Sequence, residues 1–260
     1  MPNVSRFGQP SLPALVLIHG FLGNKTDWLK LMPQLSQFFH CICLDLPGHG
    51  DNLNHTLPTP GFDACVDDII ATLDAISVKQ FHLLGYSLGG RIALHLAQRV
   101  PDRLLSLTLE SCHPGLHSIA EKQARAENDA QWAARLNHSS LIDFLGAWYQ
   151  QAVFANLNNE QHSALVSKRL RNNPQKLHNC YLATSLSEQD DLWKIPDQLS
   201  CPSYFFAGSQ DTKFSKLAHQ WQSTSAISVQ PFANLGHNLH LAAPTAFCRT
   251  LIRLLSASAR

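Results

Sequence analysis

The sequence predicts an α/β fold, a mostly parallel doubly wound sheet with an inserted all-helical cap. Three observations predict it. Short, continuous apolar runs recur, each closed by turn residues. Segments with helical spacing of apolar residues stand between most of them. One long interval, 114–196, holds helical patterns and no convincing strand. Continuous apolar runs mark strands buried on both faces, as a parallel sheet requires. Their alternation with helices marks double winding.

The elements follow in order. LPALVLI is the first clear strand and runs straight into His19-Gly20. CICLDL is the next, closed by the turn Pro47-Gly48-His49-Gly50. FDACVDDIIATLDAI has a helical apolar stripe, FHLLGY is a strand, GGRIALHLAQRV a helix and RLLSLTLESC a strand. Four helical patterns then follow one another: IAEKQARAENDAQWAARL, LIDFLGAWYQQ, NNEQHSALVSKRL and LHNCYLATSL. That interval is too long for one crossover helix, and a structureless loop of such length is uncommon. Residues 114–196 are therefore expected to form a helical cap, with 1–113 and 197–260 forming the core. CPSYFFAGS and AISVQPF supply the last strands.

Composition narrows the function. With 260 residues the chain is long enough for a sizeable core. Lys plus Arg total 20 against 19 Asp plus Glu, a balance that gives no support for nucleic-acid or anionic-membrane binding. No apolar run approaches the ~20 residues of a membrane helix, and the short N-terminal run lacks a cleavage-site pattern. The seven cysteines are scattered, with no C-x-x-C pair. They read as reduced core thiols of a cytoplasmic protein. None of the 14 histidines falls in a metal-binding spacing, and neither dinucleotide nor P-loop glycine motifs occur. No cofactor or metal is expected.

The chemistry concentrates at GYSLGGR, residues 85–91. Gly85-Tyr86-Ser87-Leu88-Gly89 matches G-x-S-x-G between a predicted strand and a predicted helix, the setting of a nucleophile elbow. A serine needs a histidine oriented by an acid. In such folds the chain order is serine, acid, histidine. Asp211 and His237 each follow a late strand, at the carboxyl end of the sheet where ligands bind. Asp45 and Asp191 are alternative acids and His240 an alternative base. Asp45 precedes the serine and reads as turn-forming, and His240 falls in the following helix. The amides of Phe21, in the His19-Gly-Phe-Leu-Gly loop, and of Leu88 are the candidate oxyanion donors. His19 itself is either a loop-supporting or a substrate-binding residue.

Arg91 stands one helical turn beyond Ser87, on the same helix face. So placed, it needs an anion: a protein carboxylate or a substrate carboxylate, unless solvent reaches it. Arg125 and Arg169 lie on cap helices and by themselves read as solvated. Trp148 and Tyr149 read as cap core.

The elbow and cap together resemble the 2-succinyl-6-hydroxy-2,4-cyclohexadiene-1-carboxylate synthases of menaquinone biosynthesis, a family with the α/β-hydrolase fold. HPGL (113–116), WYQQAVFANLN (148–158), ATSL (183–186), GSQDTKF (208–214) and GHN (236–238) carry the resemblance, which spans nearly the whole chain. Ala152 departs from it, where proline is expected, and so does Pro174, where a more polar run is expected. The resemblance implies a lyase that eliminates pyruvate from a small tricarboxylate, with Ser87 as base, His237 as relay and Asp211 fixing the imidazole. It further implies that Arg91, Arg125 and Arg169 bind carboxylates and that Tyr86, Trp148 and Tyr149 line the pocket. A carboxylester or C–C bond hydrolase with Ser87 as covalent nucleophile is the alternative, and a non-catalytic binding protein the second.

Overall fold

The computed structural model describes residues 4–54 and 56–257; residues 1–3, 55 and 258–260, assigned above to the core, lie outside them. Seven strands form one sheet: β1 (Val4–Phe7), β2 (Ala14–Ile18), β3 (His40–Leu44), β4 (Phe81–Tyr86), β5 (Leu104–Glu110), β6 (Ser203–Gly208) and β7 (Ile227–Phe232). Their order is β1-β3-β2-β4-β5-β6-β7. Every neighbouring pair is parallel except β1 with β3. The fold is thus the mostly parallel α/β sheet that the apolar runs predict. Strand β1 adds to that expectation, because VSRF contains no apolar run and is only partly buried.

The described residues also form eleven α-helices: α1 (Met32–Leu35), α2 (Phe62–Ala75), α3 (Leu88–Arg99), α4 (Ile119–His138), α5 (Leu141–Trp148), α6 (Asn159–Arg169), α7 (Pro174–Ala183), α8 (Ile195–Gln198), α9 (Thr212–Gln222), α10 (Leu239–Ala242) and α11 (Pro244–Ala257). The sheet divides the core in two. Along β2, Ala14, Val16 and Ile18 enter one apolar cluster, and Leu15 and Leu17 the other. Cys41 and Cys43 share one face of β3, and all seven cysteines are free. No helix among the described residues is long and apolar enough to cross a membrane.

Helices α4 to α7 lie in succession between β5 and β6. Side-chain caps set where each begins. Ser118 with Glu121 and Asn158 with Gln161 form capping boxes for α4 and α6, while Ser140 and Asn173 cap α5 and α7. Each such cap is worth ~1 kcal/mol, which breaks the interval into four helices. A third apolar cluster, with Leu136, Phe144, Leu145, Tyr149 and Leu177, closes on Leu22 of the core. Pro174 stands at the start of α7, where a missing N–H costs nothing.

One ion pair fastens this region to the sheet. Arg169, the last residue of α6, reaches Asp27 with both terminal nitrogens, at 2.8 Å each. Lys168 Nζ joins at 2.7 Å. Asn172 Nδ2 donates to the Leu22 carbonyl at 3.0 Å beside them. Both Arg169 and Asp27 are 4% exposed. Burial alone would raise the Asp27 pKa, but the Arg169 and Lys168 charges hold it well below the usual carboxylate range. The resulting stabilisation is complete above about pH 4, the ordinary aspartate value, and is lost only as pH falls through the depressed folded value.

Two outcomes are expected. Arg169→Ala leaves the Asp27 carboxylate buried with a single lysine, and urea unfolding at pH 7 should show a loss of about 3–5 kcal/mol. Ala152 opens a 3-10 turn (Ala152–Phe154) after an extended Gln151, φ −62° and ψ 149°. That backbone accepts a following proline, so Ala152→Pro should raise stability by about 0.4–1 kcal/mol in the same assay.

Candidate active site

Strand β4 leads into α3 through a single strained residue. Ser87 has φ 52° and ψ −110°, a region that costs a non-glycine residue about 1–3 kcal/mol. The flanking glycines allow it. A Cβ on Gly89 would stand 2.2 Å from the Ile18 carbonyl oxygen, and one on Gly85 would stand 2.4 Å from that of Gly89. The Ser87 amide donates to the Glu110 carbonyl at 2.9 Å, tying the turn to β5. The Ser87 hydroxyl faces a cavity and, among the described residues, makes no hydrogen bond. The amides of Phe21 and Leu88 likewise find no acceptor among the described residues.

Asp211 caps α9, its Oδ1 accepting from the Phe214 amide at 3.2 Å. Its Oδ2 lies 2.6 Å from His237 Nδ1. Both side chains are buried. The imidazole packs among Tyr86, Phe154 and Phe214, with ring centroids 5.5, 5.5 and 5.0 Å away. With Nδ1 donating to the carboxylate, Nε2 is the free acceptor.

A second acid–histidine pair, which no motif announces, lies close by. Glu110 ends β5 fully buried. Its Oε2 is 2.8 Å from His240 Nδ1, while Oε1 accepts from the amides of Leu239 and His240 at 2.7 and 3.2 Å. His240 lies in α10, as expected, and its partner moors the segment that follows His237. The only signal in the sequence is a lone acid ending an otherwise apolar strand. Asp45 and Asp191 are engaged away from His237. Asp45 accepts from the Lys25 amide, Lys25 Nζ and the Asp51 amide at 2.7, 2.7 and 3.0 Å, holding the turn after β3. Asp191 pairs with His117 at 2.8 Å.

The cavity wall is cationic. Arg91, Arg125 and Lys213 line it with Ser87, His113 and Trp148. Arg91 donates to the Thr184 carbonyl at 2.8 Å and has no carboxylate partner among the described residues. Burial and the nearby Arg125 guanidinium pull its pKa down to about 10. Arg125 Nε is held by Asp129 Oδ2 at 2.8 Å, and its two terminal nitrogens have no partner among the described residues. Burial, reinforced by Lys213, Arg91 and Arg125, takes His113 down to about 3, so its imidazole is neutral. Lys213, absent from the expected site residues, stands two residues beyond Asp211 in the first turn of α9.

Several expected binding residues lie elsewhere. Arg169 does not reach the cavity; its pairing with Asp27 exhausts the fork of its guanidinium. His19 is fully buried, its Nε2 accepting from the Leu46 amide at 3.1 Å and its Nδ1 lying 2.8 Å from the Gly20 carbonyl. It therefore supports the loop and is not open to a ligand. Tyr149 is buried with its hydroxyl 3.4 Å from Arg169 Nε, and Tyr86 is buried against the rings of His237 and His240. Both stand behind the wall, whereas Trp148 forms part of it. Local spacing does not reveal which partner waits across the fold: Asp27 for Arg169, the Leu46 amide for His19, Arg169 for Tyr149 and two imidazoles for Tyr86.

The sequence matches the alpha/beta hydrolase fold family over residues 13–244. It is 40% identical over 251 residues to the 2-succinyl-6-hydroxy-2,4-cyclohexadiene-1-carboxylate synthase of Enterobacter sp. (strain 638), covering 96% of this chain and 95% of that one. The enzyme of the same name from Salmonella newport (strain SL254) is 38% identical over 250 residues, covering 95% and 96%. Among solved structures, MenH from S. aureus superposes with a TM-score of 0.90 at 24% identity, covering 100% of this chain and 99% of that one. A carboxylesterase structure from the thaumarchaeon Nitrososphaera gargenis gives 0.85 at 15% identity, covering 99% and 95%, a likeness of fold alone. Near-complete coverage at such identity, on this sheet and elbow, places the chain in the 2-succinyl-6-hydroxy-2,4-cyclohexadiene-1-carboxylate synthase family of the α/β-hydrolase fold.

Proposed function

We infer that the protein is a carbon–oxygen lyase of menaquinone biosynthesis. It eliminates pyruvate from 2-succinyl-5-enolpyruvyl-6-hydroxy-3-cyclohexene-1-carboxylate to give 2-succinyl-6-hydroxy-2,4-cyclohexadiene-1-carboxylate. The observation that carries the reading is Arg91, a cation beside Ser87 with no protein carboxylate to meet. A substrate with three carboxylates supplies the missing anion. A neutral ester does not.

The chemistry follows from the parts. The ring hydrogen next to the succinyl ketone is the acidic one. Ser87 Oγ takes that proton and passes its own to His237 Nε2, while Asp211 keeps Nδ1 donating. This relay requires Ser87 Oγ to come within hydrogen-bond reach of Nε2. Negative charge on the ketone oxygen is met by the amides of Phe21 and Leu88. The C–H electron pair becomes a new ring double bond, the existing one shifts, and the ring C–O bond breaks. The leaving enolpyruvate takes up a proton and becomes pyruvate. No acyl-enzyme forms. Arg91 and Arg125 hold carboxylates so that this hydrogen faces Ser87, a positioning effect that base catalysis alone, at ~10²–10⁴-fold, does not replace. Free thiols throughout fit a reducing compartment such as the cytoplasm.

Supplying the enolpyruvyl substrate and following pyruvate tests the reading directly, since no release above the uncatalysed rate would refute it. Ser87→Ala should slow release by about 10²–10⁴-fold. Arg91→Ala should lower kcat/KM for the tricarboxylate by about 10²–10³-fold and cleavage of a neutral aryl ester far less. A stoichiometric burst followed by fast turnover on that ester would instead favour a hydrolase.

A further inference from the structure

The proposed substrate carries three carboxylates, and Arg91 and Arg125 account for two. The third cation implied by the family resemblance, Arg169, is bound to Asp27 through both terminal nitrogens. We propose that Lys213 is the third carboxylate-binding residue, its ammonium meeting a substrate carboxylate on the same wall as Arg91 and Arg125. The inference rests on the lyase reading above.

Four observations support it. Lys213 lines the cavity that Ser87 faces. Part of the residue reaches solvent, while its head group lies among the cations of the wall with reduced access to water. Among the described residues it has no ion-pair partner, and the acids nearest to it are already saturated. Asp211 serves His237 and the Phe214 amide. Asp129 serves Arg125 and the hydroxyls of Tyr181 and Ser185, each at 2.6 Å. Finally, Lys213 shares the first turn of α9 with the cap that fixes Asp211, so its position is set relative to the His237 pair.

The electrostatics point the same way. Loss of water around its head group, then repulsion by Arg125 and Arg91, lowers the Lys213 pKa. Three cations on one wall repel one another, and a trianion relieves all three at once. An ammonium on a flexible stem suits the most mobile carboxylate, because it needs no fixed bidentate geometry.

The test uses the full-length enzyme and the enolpyruvyl substrate. Lys213→Met should raise KM about 10- to 100-fold while lowering kcat much less, and Lys213→Arg should recover most of the loss. With a substrate analogue in which the contacted carboxylate is a neutral amide, wild type and Lys213→Met should have similar KM values, which a merely structural role would not produce. An unchanged KM in Lys213→Met, with wild type active, overturns the assignment of Lys213 alone. So does equal sensitivity of all three singly masked analogues to that substitution. Absence of pyruvate release from wild type overturns the lyase reading and this inference with it.

Discussion

The left-handed turn at Ser87 is the constraint on which the site depends. One residue at φ 52° converts the end of β4 into the start of α3 without a connecting loop. The hydroxyl, the Leu88 amide and the Arg91 guanidinium are therefore fixed relative to one another by a single piece of backbone. A proposed base, an oxyanion donor and a substrate cation follow within one turn of helix. The strain of about 1–3 kcal/mol is tolerated because the turn is over-determined. It is packed against the Ile18 carbonyl from one side and hydrogen-bonded to the Glu110 carbonyl from the other.

Charge is distributed by a simple division. Cations that hold the fold have acids: Arg169 and Lys168 with Asp27, and Lys25 with Asp45. Cations on the cavity wall have few or none, and burial, followed by repulsion from Arg125, destabilises the charged forms of Arg91 and Lys213. Arg125 is intermediate, oriented by Asp129 through Nε with its outer nitrogens left free among the described residues. A wall that repels itself is poorly stable when empty and strongly complementary to a polyanion. That trade is common where binding matters more than stability.

Six of the seven strands are legible in the sequence: β2 to β6 as apolar runs bounded by turn residues and covered on both faces, and β7, ISVQPF, as a broken run with exposed positions. The exception, β1, pairs at the sheet edge through backbone bonds that leave little trace in VSRF. Helices α4 to α7 are legible from period alone, and their caps account for the breaks between them. At the site, motif and chain order single out Ser87, Asp211 and His237, and the structure brings Asp211 onto His237. The misplaced residues share one cause. Resemblance assigns Arg169, Tyr149 and Tyr86 to a pocket, and loop position leaves His19 open to the same role, but long-range partners set what each of them does. Arg169 and Asp27 are 142 positions apart, and no local pattern encodes that meeting. Lys213 and Glu110 escape notice for the converse reason, since a lysine in a helical first turn and an acid at a strand end look ordinary until their neighbours are known.

The Glu110–His240 pair has a further consequence for how the cleft works. One carboxylate, with no access to water, holds two amides and an imidazole from the stretch that follows His237. That side chain ties the stretch after His237 to the end of β5, so the imidazole is anchored to the sheet. Trp148 and Arg125, which line the same cavity, instead ride on helices capped at their own ends. The imidazole and the Trp148–Arg125 lining are thereby held by separate elements of the fold.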